Sequence, residues 1–199
     1  MFTGIIQSVG TVAEIEKKLD FAVINITDTK IVKSLSLGDS IAVNGVCLTV
    51  SHLDLSEDYF SADVMGVTLK NTNLKHLVSS SRVNLELPLS VSGRFDGHIV
   101  QGHVDGEIQL INIDEHENWR TMRFQINPEL RRYVVKKGSI CLNGVSLTVS
   151  DLADGWLEVS LIPVTLAETN LGLLQVGDTV NVEVDLLAKY VESILGKKQ

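Results

Sequence analysis

A cysteine and a serine stand at matching places in two copies of one phrase, NGVCLTV at Asn44–Val50 and NGVSLTV at Asn143–Val149. Cys47 offers a thiol that is nucleophilic once ionised, and Ser146 a hydroxyl that donates, accepts or attacks beside a base. In a strand, residues two apart share a face, so Thr49 joins Cys47 and Thr148 joins Ser146. Val46, Leu48 and Val50 then form an aliphatic core face, and a ligand has the polar face to lie on. A lone cysteine is ordinarily a small buried hydrophobe, and a Ser/Thr face is ordinarily just solvated. The doubling favours a pair of sites instead. A second cluster, GHIVQGHVDG at Gly97–Gly106, carries His98 and His103. Read as a strand, it turns the two rings to opposite sides, and no third ligand accompanies them, so no metal is expected. Flanking glycines let backbone approach a flat ligand, which makes His103 the hydrogen-bonding or acid/base candidate. Asp185 precedes a helical run, where its simplest role is an N-cap worth ~1 kcal/mol.

These residues recur because the chain is duplicated. Ser40–Ser51 and Ser139–Ser150 agree at nine of twelve positions. VTLKNTNL from Val67 matches VTLAETNL from Val164, and VNLEL from Val83 matches VNVEV from Val180, in the same order. Fixed-offset repeats of this length mark homologous modules. The expected division is residues 1–97, residues 98–185 and a tail at 186–199, with LPLSVSGRFDGH as the Gly/Pro-bearing junction. FAVINIT, YFSADV, WLEVSLI and VNVEVD alternate apolar and polar residues between turn signals. Each module is therefore expected to be a small all-β barrel or sandwich. Leu186, Leu187, Tyr190, Val191, Ile194 and Leu195 form one apolar helical stripe in the tail. A helix of about ten residues is marginal alone and needs a surface to dock on, its own barrels or another subunit.

The chain has 199 residues, 44% of them hydrophobic, and a net charge of −8. That balance disfavours a nucleic-acid partner, which needs a basic stripe. No apolar run approaches the roughly 20 residues of a membrane helix, and the start lacks a signal-peptide pattern. Two cysteines in unrelated surroundings form no disulfide framework. The expectation is a cytoplasmic protein.

MFTGII, GDSIAVNGVCLTV, GHIVQGHVDG, KKGSICLNGVSLTV, LIPVTL and VEVDLLAKYVE together resemble the riboflavin synthase family of the α-subunit type. The resemblance spans essentially the whole chain. It implies two six-stranded Greek-key barrels in tandem, a C-terminal helix and a homotrimer, with lumazine synthase as a further candidate partner. It also implies dismutation of 6,7-dimethyl-8-ribityllumazine to riboflavin and 5-amino-6-ribitylaminouracil without a cofactor. One substrate would lie on an N-barrel and the other on a neighbouring subunit's C-barrel.

Carried over by motif, the resemblance places an N-barrel site at Gly4, Ile5, Ile6, Cys47, Leu48 and Thr49, with the run Asp63, Val64, Met65, Gly66, Val67, Thr68. It places a C-barrel site at Gly102, His103, Val104, Lys137, Ser146, Leu147 and Thr148, with the run Ser160, Leu161, Ile162, Pro163, Val164, Thr165. Phe2 and Asp185 match further sensitive positions. The implied catalytic group is Cys47, His103, Ser146, Thr148 and Asp185. His103 would relay protons at the C-barrel substrate, and Ser146 and Thr148 would bind or activate the group added at its C7. Cys47 and Thr49 would orient the other lumazine, and Asp185 would orient His103 or a water. Val67 and Val164 depart from a usual Glu or His, Asn143 from a frequent aspartate, and Asp96-Gly97 from a usual Gly-Gly. The competing reading is a non-catalytic antenna protein of the same descent, which loads one barrel only.

Overall fold

The strand alternation closes on itself twice. The computed structural model describes residues 1–18, 20–28 and 30–196. In the first module β1 (Ser8–Lys17), β2 (Phe21–Thr27), β3 (Ser40–Val43), β4 (Val46–Asp54), β5 (Tyr59–Met65) and β6 (Arg82–Glu86) form a closed antiparallel barrel in the order β1-β2-β5-β4-β3-β6. In the second, β7 (Gly106–Glu115), β8 (Arg120–Gln125), β9 (Ser139–Leu142), β10 (Val145–Ala153), β11 (Trp156–Leu161) and β12 (Thr179–Val184) repeat that Greek-key order. Register shifts after Val12 and Leu110, and again after Val50 and Val149, occupy equivalent places. Such bulges sharpen the bend that closure requires. Val46, Leu48 and Val50 point inward at 4%, 6% and 1% exposure, while Thr49 is exposed. Two tandem Greek-key barrels are thus the architecture.

Short helices link the strands. α1 (Gly66–Asn71) follows β5, α2 (Pro128–Arg131) is capped by Asn127, and α3 (Pro163–Glu168) repeats α1. α4 (Leu186–Leu195) ends the described chain, and Lys197–Gln199 of the expected tail helix lie outside the described residues. Asp185 caps α4, its Oδ1 accepting from Leu187 N at 2.9 Å. Lys189 to Asp105 at 2.6 Å and Arg132 to Glu192 at 3.0 Å fasten α4 to the second module. Its apolar stripe is not covered: Leu187, Tyr190, Val191, Ile194 and Leu195 are all more than half exposed.

Asn44-Gly45 joins β3 to β4, and Asn143-Gly144 joins β9 to β10. All four residues have positive φ, between 46° and 81°, as a two-residue type I′ hairpin turn requires. The two turns abut. A Cβ on Gly45 would lie 2.7 Å from Gly144 N, and one on Gly144 2.8 Å from Gly45 N. Around this contact Asn44, Asn73, Asn84, Asn143, Asn170 and Asn181 are all buried. Asn84 Nδ2 donates to Asn143 O at 2.9 Å, and Asn181 Nδ2 to Asn44 O at 2.8 Å. Asn170 N donates to Asn84 Oδ1 at 2.7 Å, and Asn73 N to Asn181 Oδ1 at 2.6 Å. Each barrel therefore ties down the helical connection of the other. Asn143 belongs to this network, where its Oδ1 accepts from Asn181 N at 2.8 Å and its Nδ2 donates to Asn170 Oδ1 at 3.3 Å. An aspartate there would lose the donor. A small apolar cluster of Phe2, Val100, Ala42 and Cys141 completes the contact.

The abutting turns give a direct stability test. Gly155 also has positive φ (85°) but meets nothing within 4 Å, so Gly155→Ala should cost only the left-handed backbone strain of about 1–2 kcal/mol. Gly45→Ala adds a backbone clash and should cost clearly more. Equal urea midpoints for the two variants would refute the back-to-back docking.

Candidate active site

Each module begins with a short segment pinned by a glutamate from its own last strand. Glu86 Oε1 accepts from Thr3 N at 2.7 Å and Thr3 Oγ1 at 2.9 Å, and Oε2 accepts from Gly4 N at 3.0 Å. Glu183 does the same for Gln101 N at 2.7 Å and for Gly102 N and His103 N at 3.0 Å. Burial pushes both carboxyls above the usual carboxylate range, while these donors pull them back. The segments pair with each other through Phe2 N to Val100 O at 2.8 Å and Val100 N to Phe2 O at 3.2 Å.

The tips then cross over. Gly4 O accepts from Ser146 N at 2.7 Å, and Gly102 O accepts from Cys47 N at 2.9 Å. Both glycines have positive φ, 77° at Gly4 and 79° at Gly102. A Cβ on Gly4 would lie 2.7 Å from Ser146 Cβ, and one on Gly102 2.5 Å from Cys47 Cβ, so no larger residue fits. Val104 packs against the first barrel's core and Ile6 against the second's. The expected grouping is therefore exchanged. Gly102, His103 and Val104 belong with Cys47, and Gly4, Ile5 and Ile6 belong with Ser146. Symmetry is the reason: two modules docked face to face each lend their leading segment to the neighbour.

The first half-site is a cleft of about 240 Å³ lined by Cys47, Val67, Thr68, Asn71, Thr72, Gly102, His103 and Val104, with Val46. Cys47 is half-buried and carries a free thiol. Cys141 is fully enclosed, and burial, with Glu183 and Glu86 adding to it, pushes its thiol well above the ordinary range. Only Cys47 is placed to react.

The second half-site has a different centre. His98 Nδ1 lies 2.7 Å from Ser146 Oγ, and His98 N donates to Thr3 O at 3.1 Å. His98 is 8% exposed, and its Nε2 has no partner among the described residues. An unpaired buried polar atom costs about 1–3 kcal/mol. Burial holds the imidazole below its usual 6.5, with the negative charge of Asp185 opposing, so the ring is neutral at neutral pH. Asp185 thus acts electrostatically on His98, and its Oδ1 is engaged as the α4 cap. Asp185 is expected to orient His103 or a water, and among the described residues no hydrogen bond joins it to His103. Nor do the two histidines share a strand: Val100 makes only an isolated bridge, and the segment is otherwise irregular. His98 was missed as a site residue, yet a signal existed. Gly97-His98 and Gly102-His103 are two Gly-His pairs, one for each half-site.

The remaining expected residues fall into four groups. Thr49, Thr148, Asp63, Met65, Val67, Ser160, Ile162, Pro163 and Val164 are exposed on the outer barrel face or at the helix starts, and Gly66 and Thr165 are half-buried there. Ser51 Oγ donates to Asp63 Oδ1 at 3.0 Å. Leu48, Val64 and Leu161 point into the cores, as Leu147 does in part, so only their backbones face outward. Phe2 is fully buried between the modules and acts by holding the segments. Lys137 has φ 67°, where its counterpart is Gly38, and its N donates to Val149 O at 2.9 Å beside Thr148. A non-glycine residue held in this region is strained.

The lumazine binding domain family model matches residues 3–88 and again 101–185. A riboflavin synthase of Actinobacillus pleuropneumoniae is 50% identical over 198 residues, covering 100% of this chain and 91% of that protein. The chain belongs to the riboflavin synthase family. Riboflavin synthases of Mycobacterium bovis and Bacillus subtilis are 46% and 42% identical, over 98% and 99% of this chain and 98% and 91% of theirs. Among solved structures, LumP complexed with 6,7-dimethyl-8-(1'-D-ribityl) lumazine superposes with a TM-score of 0.83 at 29% identity. LumP complexed with riboflavin gives 0.85 at 30%, and both comparisons cover 92% of this chain and 99% of that one. The two matched stretches correspond to the two barrels.

The lowered His98 value has a consequence for stability. A base whose folded pKa is depressed contributes stability that is present above its unfolded value of 6.5 and lost as pH falls through the folded value. The urea midpoint should therefore fall more steeply on mild acidification than that of His98→Asn. Parallel curves would mean that the ring titrates as a solvated histidine.

Proposed function

We propose that this chain is a riboflavin synthase that dismutates two molecules of 6,7-dimethyl-8-ribityllumazine. A four-carbon unit passes from one to the other, giving riboflavin and 5-amino-6-ribitylaminouracil. The products contain all the atoms of the substrates, so no cofactor or co-reactant is required. One observation carries the reading: two half-sites of matching backbone geometry present unlike groups, Cys47 with His103 in one and Ser146 with His98 in the other.

Two identical heterocycles need unequal roles, and matching cradles with unequal groups provide them. Well-oriented assembly supplies about 7–11 kcal/mol, whereas a single acid or base contributes about 10²–10⁴-fold, near 3–5 kcal/mol. Alignment of the two lumazines is the larger effect. Cys47, Thr49 and His103 orient one lumazine, with His103 exchanging its protons. Ser146 and Thr148 act at C7 of the other, and Lys137 faces the same strand. Val67 and Val164 offer apolar contact where a polar residue would bond the ribityl chain.

The reacting pair assembles between subunits of a homotrimer, the N-barrel of one facing the C-barrel of another. The uncovered apolar stripe of α4 supports this, since water-exposed leucine, isoleucine and tyrosine side chains in one patch favour association. Residues 1–97 and 98–185 act as the two substrate units and 186–199 as the association element. Two free thiols suit a reducing cytoplasm. Lumazine synthase, the supplier of the substrate, is the natural partner.

Purified protein mixed with 6,7-dimethyl-8-ribityllumazine alone should form riboflavin equal to half the lumazine consumed. Tight binding at one site per chain without turnover would establish the antenna reading instead. Removing residues from Leu186 onward should give a monomer with turnover reduced about 10²-fold or more, the cost of losing alignment. A fully active monomer would show that both substrates react within one chain.

A further inference from the structure

Ser146 and Cys47 occupy equivalent places on β10 and β4, and each receives a glycine carbonyl from a crossing tip. Beyond that their side-chain partners differ. Ser146 has a buried imidazole at 2.7 Å, whereas no imidazole hydrogen bond reaches Cys47 among the described residues. The ring belongs to the junction between the modules, outside both barrels. Its backbone is fixed by Thr3 O, and Gly97 beside it is pressed against Thr3 O, where a Cβ would approach to 1.9 Å. This junction is packed too tightly to be a mere spacer.

We propose that His98 is a positioning residue for Ser146: Nδ1 accepts the Ser146 hydroxyl hydrogen and leaves the oxygen lone pairs facing the outer strand surface that Thr148 shares. This rests on the dismutation reading and gives the C-barrel half-site its distinct role. A serine so held is an acceptor only, suited to take a hydrogen bond from the group added at C7 of the lumazine. The burial that keeps the ring neutral leaves Nδ1 its lone pair, because an imidazolium would be a donor at both nitrogens. The unpartnered Nε2 fits the same role. A histidine kept only for stability would have both nitrogens satisfied, as buried polar groups ordinarily are.

A double-mutant cycle tests the coupling. His98→Leu should lower kcat about 10²-fold, the scale of a lost acid/base or orienting group, with KM within about twofold. His98→Asn, whose amide oxygen can take the place of Nδ1, should regain at least about tenfold of that loss. In a Ser146→Ala background, His98→Leu should add less than about threefold, since residues acting as a unit are not additive. Full additivity, or a loss that appears in KM alone, would overturn the proposal. The imidazole ¹⁵N spectrum of the resting protein gives a readout independent of turnover. Nε2–H with an acceptor Nδ1 that shifts on Ser146→Ala is expected, and an Nδ1–H tautomer overturns the pairing. Absence of turnover in the unmodified chain would remove the dismutation reading, and the ¹⁵N spectrum would still decide the pairing.

Discussion

Two hairpin turns meeting backbone to backbone govern the molecule. Gly45 and Gly144 come so close that neither tolerates a Cβ, and the buried amides around them bond across the contact. Asparagine answers this constraint because one side chain both donates and accepts. Each such bond contributes about 0.5–1.5 kcal/mol net, but breaking one strands a buried partner at a cost of about 1–3 kcal/mol. The network is therefore weak as glue and strong as a specification. Two apolar barrels could pack in many orientations, and the asparagine bonds across the contact favour this one.

That orientation places the reacting residues. With the turns back to back, Phe2 and Val100 pair between the barrels, and Glu86 and Glu183 hold the leading segments from behind. The carbonyls of Gly4 and Gly102 then land on the opposite barrels. Closed barrels have no free edge along which these strands could slip, so a shift at the turns would be passed to the sites. The buried carboxylates bear an energetic cost that burial alone would not justify. Their use is geometric, since a carboxylate can gather three N–H or O–H donors at one point.

Much of this was legible in the residues. The duplication survived in long identical runs, the barrels in the alternation of segments such as YFSADV, and α4 in a stripe of six apolar residues. The outward direction of Cys47 and Ser146 followed from strand period alone. What escaped was the exchange of leading segments, because Gly4 and Cys47 are neighbours in module order and only docking separates them. Asn143 read only as a departure from a frequent aspartate, while its burial makes it part of the inter-barrel network. Lys137 in the left-handed region could be suspected only from its counterpart Gly38. His98 lay where the junction meets a stretch read as a strand, and the irregular packing there has no periodicity to betray it.

Duplication by itself yields two equal cradles, and equality is unsuited to a reaction in which one molecule must give and its twin receive. The scaffold keeps the symmetry where position matters: the turns, the glutamates, the crossing glycines. Among the places where it breaks symmetry, three lie about the sites: Cys47 against Ser146, Gly38 against Lys137, and Ala42 against Cys141 behind them. On the proposed reaction, the most economical difference is one that leaves the backbone alone. Exchanging a thiol for a hydroxyl achieves that, and the junction histidine, which neither barrel contains, can then distinguish the two cradles without disturbing either fold.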